Sequence, residues 1–122
     1  TDITGFSLLG HGYEMAQASS VGLRFNFERI PFLKGAHKYA QAWSFPGGSH
    51  DNKSFFGSHV TFSPRIDEPS QMLLFDAQTS GGLLLSVPAD KLGSLLSRAK
   101  ELSQELWEIG DVVAGDSIQV NP

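Results

Sequence analysis

Apolar residues recur at three- and four-residue spacings through Leu8, Leu9, Gly12, Met15 and Ala16, which predicts an amphipathic helix over residues 7–19 with Gly22 beyond it as a stop. Gly10 and Gly12 lie inside that helix. Each costs about 1 kcal/mol relative to alanine, so the pair predicts a close approach to a neighbouring backbone. The period then falls to two: Leu23, Phe25 and Phe27 alternate with Arg24, Asn26 and Glu28, the pattern of a half-buried strand that Pro31 ends. A second helix is predicted over residues 32–44, with Leu33, Ala36, Ala40 and Trp43 on one stripe and Lys34, His37, Lys38 and Gln41 on other faces.

Residues 46–70 are rich in proline, glycine and polar side chains and read as a long loop, broken by a short strand at residues 59–62. The apolar runs Met72-Leu73-Leu74-Phe75 and Leu83-Leu84-Leu85-Ser86-Val87 read as buried strands joined by the polar turn 76–82. A third helix is expected over 88–106, started by Pro88 and burying Leu92, Leu95, Leu96, Ala99 and Leu106. The chain should close as a hairpin, 107–113 and 117–120, turning at Ala114-Gly115-Asp116. This mixed order predicts an α+β fold, with helices packed on a mainly antiparallel or mixed sheet.

Composition narrows the function. With 122 residues, the chain is one domain, and 40% hydrophobic residues suffice for its core. It has no cysteine, which excludes disulfides, thiolate zinc sites and cysteine nucleophiles; a cytoplasmic location fits this. A formal net charge of -4 and only 18% charged residues leave no basic stripe for phosphodiester contacts, so no nucleic-acid partner is expected. No apolar run approaches a bilayer span, and no membrane partner is expected. Thr1 opens directly on a dense motif, which predicts a piece of a longer protein.

Candidate chemistry is sparse. Asp2 stands just before a predicted helix, where unpaired amides attract anions, and a carboxylate there can help hold a hard cation that bridges phosphates. Magnesium takes one or two protein carboxylates plus phosphates and water, so Asp2 alone makes no site but can complete one. The competing reading is that Asp2 or Thr4 caps the helix. The glycine-bearing segments 47–52 and 78–82 match neither the P-loop nor the dinucleotide fingerprint. The four histidines, His11, His37, His50 and His59, lack paired metal spacing. No Gly-x-Ser-x-Gly elbow is present.

Three segments together resemble one family: Asp2-Ile3-Thr4-Gly5-Phe6-Ser7-Leu8-Leu9-Gly10-His11, Pro46-Gly47-Gly48-Ser49-His50-Asp51-Asn52, and Phe75-Asp76-Ala77-Gln78-Thr79-Ser80-Gly81-Gly82-Leu83-Leu84. They look like the C-terminal domain of selenophosphate synthetase (selenide, water dikinase), in the same order and over essentially the whole chain. Ser7 replaces a usual glycine, Ser49 a common threonine and Ala77 a common proline.

The resemblance implies a layered α+β domain with helices on both sides of a mixed sheet, and residues 1–122 as its N-terminally truncated remainder, lacking the first helix and strand. It implies the formation of selenophosphate, AMP and phosphate from ATP, selenide and water. Asp2 would be a magnesium ligand, and Thr4, Gly5 and Thr79 would contact the nucleotide. No catalytic residue would lie in this chain, since the nucleophilic cysteine or selenocysteine, the essential lysine and the other metal-binding aspartates belong to an N-terminal domain. That domain is the implied partner, and the full-length enzyme would be a cytoplasmic homodimer. Two alternatives stand beside it: another member of the same ATP-using superfamily, in hydrogenase maturation or purine synthesis, and a non-catalytic interaction domain. The Gln78-Thr79-Ser80-Gly81-Gly82 turn speaks against the first.

Overall fold

A computed structural model describes all residues from Thr1 to Pro122. The first helix, α1 (Ser7–Ala18), buries Leu8, Leu9, Gly12 and Ala16 on the stripe read from the sequence. It stops before Gly22, because Ser20 takes the left-handed turn with φ 54° and the Val21 N–H closes on the Ala16 carbonyl. Gly22 instead opens strand β1 (Gly22–Asn26), where a Cβ would stand 2.9 Å from the Ser117 carbonyl oxygen. The close approaches at the helix glycines are to side chains, not backbone: a Cβ on Gly10 would lie 2.8 Å from the Phe56 ring, while Gly12 faces Leu23, Phe25 and Leu84 at ordinary contact distance.

Ser7 is a non-glycine residue at φ 65°, the left-handed region that glycine enters freely. The departure from the glycine usual in the resembled family therefore stores strain. Ser7→Gly should raise stability by about 1 kcal/mol and the melting temperature by about 4 °C, measurable by thermal unfolding.

β1 is shorter than its alternation suggested. Asn26 turns the chain into a single 3-10 turn, Phe27–Arg29, by accepting a hydrogen bond from the Arg29 N–H on its side-chain oxygen. The second helix, α2 (Ala36–Gln41), is half the expected length, since Gly35 at φ 90° cannot be helical. Leu33 is consequently 83% exposed and Trp43, at φ 56°, is exposed too.

The expected loop at 46–70 is largely structured: α3 (Gly47–Phe56), β2 (Val60–Phe62) and α4 (Glu68–Leu73) occupy it. Only the short strand was anticipated. α3 carries poor helix formers and no apolar stripe, but Ser49 and Asn52 are buried and hydrogen-bonded, so tertiary anchoring overrides propensity. α4 is started by Asp67, whose side chain accepts from the Ser70 N–H, with Pro69 in its first turn. Its end explains the run 72–75, which is buried throughout but helical and turning rather than a strand. Short apolar runs do not separate the two by period.

Residues 83–87 form no strand either; Leu83 makes one isolated bridge, to Asp2, and is exposed, while Leu84 is buried. α5 (Ala89–Glu101) ends early because Ser103 turns left-handed at φ 54°. Of its expected buried stripe only Ala99 is buried. The closing strands β3 (Gly110–Val113) and β4 (Ile118–Asn121) do not pair as a hairpin, because β1 lies between them. The sheet order is β2-β4-β1-β3, with β4 parallel to β1 and β2, and β3 antiparallel to β1.

The sheet is therefore mixed and the class α+β, as read. Leu23, Phe25, Ile118 and Val120 form its buried face, with α1 packed on β1 and α3 on α1. Arg24, Thr61, Asp111 and Gln119 on the other face are exposed. No helix is long and apolar enough to cross a membrane.

Candidate functional site

Residues 1–5 run beside 78–84 as a short backbone zipper. The Leu84 N–H donates to the Thr1 carbonyl at 2.8 Å, the Ile3 N–H to Gly82 at 3.0 Å and the Gly5 N–H to Gln78 at 2.9 Å. Across it the Gly81 N–H donates to Thr4 Oγ1 at 3.1 Å. A Cβ on Gly81 would lie 2.5 Å from the Ile3 carbonyl carbon and against the Thr4 nitrogen, so the approach requires glycine there. Gly5 is needed for its backbone, which turns at φ 85°.

The middle segment locks onto both sides of this zipper. Ser49 Oγ donates to Asp76 Oδ1 at 2.7 Å and accepts from the Ala77 N–H at 3.3 Å. A proline at 77 would lack that donor. Asn52 Nδ2 donates to the Gly5 carbonyl at 2.9 Å and to the Phe75 carbonyl at 3.0 Å. Thus the three segments that are far apart in sequence meet at one place. Asn52, Ser49 and Asp76 are the residues that sequence reasoning did not single out; the only sign of them was their place in the second and third motifs.

Asp2 is exposed, and its Oδ1 accepts from the Thr4 N–H at 3.0 Å. This is a local turn, not a helix cap: α1 begins five residues later after Phe6, with no side-chain cap. The Thr4 N–H above all, then the Thr4 hydroxyl, hold the Asp2 carboxyl below its ordinary value; slight desolvation opposes them and the His11 charge assists. His11 is half-buried, with Nδ1 2.9 Å from Glu14 Oε2 and Nε2 facing the Thr4 carbonyl. Thr4 and Thr79 present exposed hydroxyl-bearing side chains beside the turn and in the facing loop.

Asp67, at the start of α4, is lowered likewise, by the Ser70 hydroxyl first, then Gln41 and the Ser70 N–H. Depressed carboxylates stabilise the fold in full above their unfolded value, near pH 4, and this is lost as pH falls through the folded value. A carbon-detected NMR titration should give midpoints for Asp2 and Asp67 below the ordinary 3.8. Asp67→Asn should flatten the acid side of the stability curve.

As a magnesium site the Asp2 turn offers its one carboxylate, and no three His, Cys, Asp or Glu side chains come together anywhere to hold a metal. An ionised, exposed aspartate fits one protein ligand of a magnesium ion otherwise held by phosphates and water. Two open clefts lie elsewhere, one lined by Arg24, Arg29, Glu108 and Asp111, the other by Tyr13, Gln17, His59 and Asp116.

Residues 1–121 match the family described as AIR synthase related protein, C-terminal domain. The chain is 47% identical over 113 residues to the selenide, water dikinase of Caldanaerobacter subterraneus subsp. tengcongensis, a match covering 92% of this chain and 33% of that protein. It is 38% identical over 120 residues to that of Pseudomonas aeruginosa and 36% identical over 120 to that of Rhizobium meliloti, each match covering 98% of this chain and 34% of the relative. The chain thus spans about a third of the length of these relatives. Among solved structures, the thiamine-monophosphate kinase of Stenotrophomonas maltophilia superposes with a TM-score of 0.56 at 17% identity, covering 98% of this chain and 30% of that one, a likeness of fold.

Proposed function

The chain belongs to the AIR synthase related protein C-terminal domain family, and from that premise we propose that it is the C-terminal domain of a selenide, water dikinase. The whole enzyme would form selenophosphate, AMP and phosphate from ATP, selenide and water. The observation that carries this reading is the meeting of the three synthetase-like segments at Gly5, three residues from Asp2. The names of the relatives support it.

In this reading Asp2 would be one protein ligand of a magnesium ion, which would supply positive charge to the phosphates of ATP when bound. The Thr4 N–H fixes the direction of the carboxylate and extends its ionised range to lower pH. The Thr4 N–H and the Gly5 N–H are spent on Asp2 and Gln78, and the Thr4 hydroxyl on the Gly81 N–H and the Asp2 carboxylate, so contact with the nucleotide falls first to the Thr79 hydroxyl and the bare Cα of Gly5, Thr4 keeping only a spare acceptor position. The nucleophile, the phosphate-clamping lysine and the remaining metal carboxylates would come from an N-terminal domain. The full-length enzyme would be a cytoplasmic homodimer with no nucleic-acid or membrane partner.

The test is direct. A full-length protein carrying this chain should release AMP and phosphate from ATP only when selenide is present, and the 122-residue chain alone should release none. Selenide-independent ATP turnover by the full-length protein would refute the assignment, and selenide-dependent turnover by the chain alone would refute the division of labour.

A further inference from the structure

Asn52 is 6% exposed on a helix that also buries Ser49 and the core residue Phe56. Its single amide nitrogen spends both hydrogens on carbonyls from two different segments: Gly5, next to the Asp2 turn, and Phe75, at the entry to the facing loop. Both acceptors are carbonyl oxygens, so only the nitrogen end of the amide can face them, and the orientation is not open to a flip. The Gly5 peptide also donates from its N–H to Gln78. The backbone after the Asp2-Thr4 turn is thereby gripped from both sides, by Asn52 on its carbonyl and by the loop on its nitrogen.

We propose that Asn52 is a positioning residue, setting the Asp2 turn against the 78–82 loop through the Gly5 and Phe75 carbonyls. The proposal deepens the reading of Asp2 as a metal ligand and rests on it for its purpose, though not for its geometry. Asn52 touches neither metal nor nucleotide. It acts through Gly5, three residues from Asp2. Ser49, one turn earlier on the same helix, fastens the same entry to the loop through Asp76, next to Phe75, so the grip on the Gly5 carbonyl is the contact that Asn52 alone adds.

The test uses a full-length protein carrying this chain, amide hydrogen exchange, and titration with manganese in the presence of ATP as a paramagnetic probe. Asn52→Asp keeps the shape but puts a carboxylate against two carbonyls. Exchange at the Gly5 and Gly81 amides should accelerate about tenfold more than at the β1 and β4 amides, the factor expected for one lost buried hydrogen bond. Manganese should broaden the Asp2 and Thr4 signals only at severalfold higher concentration than in the wild type. Ile118→Val, which weakens the sheet core without touching the frame, should accelerate all amides together and leave the manganese titration unchanged. If Asn52→Asp does not fold, Asn52→Ser, small enough to admit a water, carries the same comparison. Uniform acceleration with an unmoved manganese titration would overturn the proposal and leave Asn52 a core residue. If manganese with ATP fails to broaden Asp2 in the wild-type full-length protein, the metal reading fails, while the exchange ratio still decides whether Asn52 sets the turn.

Discussion

Asp2→Asn in a full-length enzyme carrying this chain should leave the protein folded and cut ATP-dependent activity on the order of a hundredfold, with a raised magnesium requirement. The asparagine keeps an oxygen where Oδ1 now accepts from the Thr4 N–H, so the turn survives. Folding has little else at stake in this side chain, which is exposed and caps no helix. What is lost is the charge. A neutral amide is a poor ligand for a hard cation and offers nothing against the developing negative charge of phosphoryl transfer. Activity should therefore recover in part at high magnesium, while the melting temperature stays near that of the wild type. Wild-type turnover with an unchanged magnesium dependence would leave Asp2 a turn residue alone.

What was legible in the sequence divides along a physical line. α1 and β1 were read because their apolar periods coincide with burial against a neighbouring layer, as Leu8, Leu9 and Ala16 show for the helix and Leu23 and Phe25 for the strand. α3 was missed because two of its three buried residues, Ser49 and Asn52, are polar and hydrogen-bonded, and Phe56 alone makes no apolar stripe to betray it. α2 and α5 were read too long because left-handed residues at Gly35 and Ser103 cut the pattern, and only the glycine announces such a site. The expected hairpin failed for a different reason: β3 and β4 are close in sequence, but β1, whose paired residues lie 85 to 95 positions away, takes the place between them. Local turn chemistry does not register such a competitor. The site followed the same division. Its three motifs were recognisable as strings, Asp2 among them, but that they meet through Asn52 and the zipper depends on partners as far apart as Thr1 and Leu84.

Gly81→Ala should be the most damaging single methyl in the chain's candidate site, and Gly82→Ala close to harmless, although the two glycines are neighbours and equivalent to the eye in sequence. At Gly81 the new Cβ would meet the Thr4 nitrogen and the Ile3 carbonyl carbon, rigid backbone that no rotamer change can clear. At Gly82 nothing lies within 4 Å and the backbone does not demand glycine. Relief at Gly81 requires the 1–5 segment to move off the loop, which loosens the Gly81–Thr4, Ile3–Gly82 and Gly5–Gln78 hydrogen bonds together. Overpacking of this kind costs about 3 kcal/mol. For a chain of this size that lowers the melting temperature by about 10 °C or more. Gly82→Ala should shift it by no more than a degree or two, about the scatter of ordinary surface substitutions. The two variants, compared by calorimetry and by the Asp2 carboxyl signal, separate a loop built to receive a backbone from one that is merely flexible. Equal effects at both positions would mean that the zipper does not hold the Asp2 turn in solution. A large loss at Gly81 alone, with the Asp2 titration midpoint moving up toward 3.8, would tie the carboxylate's depressed pKa to the same contact.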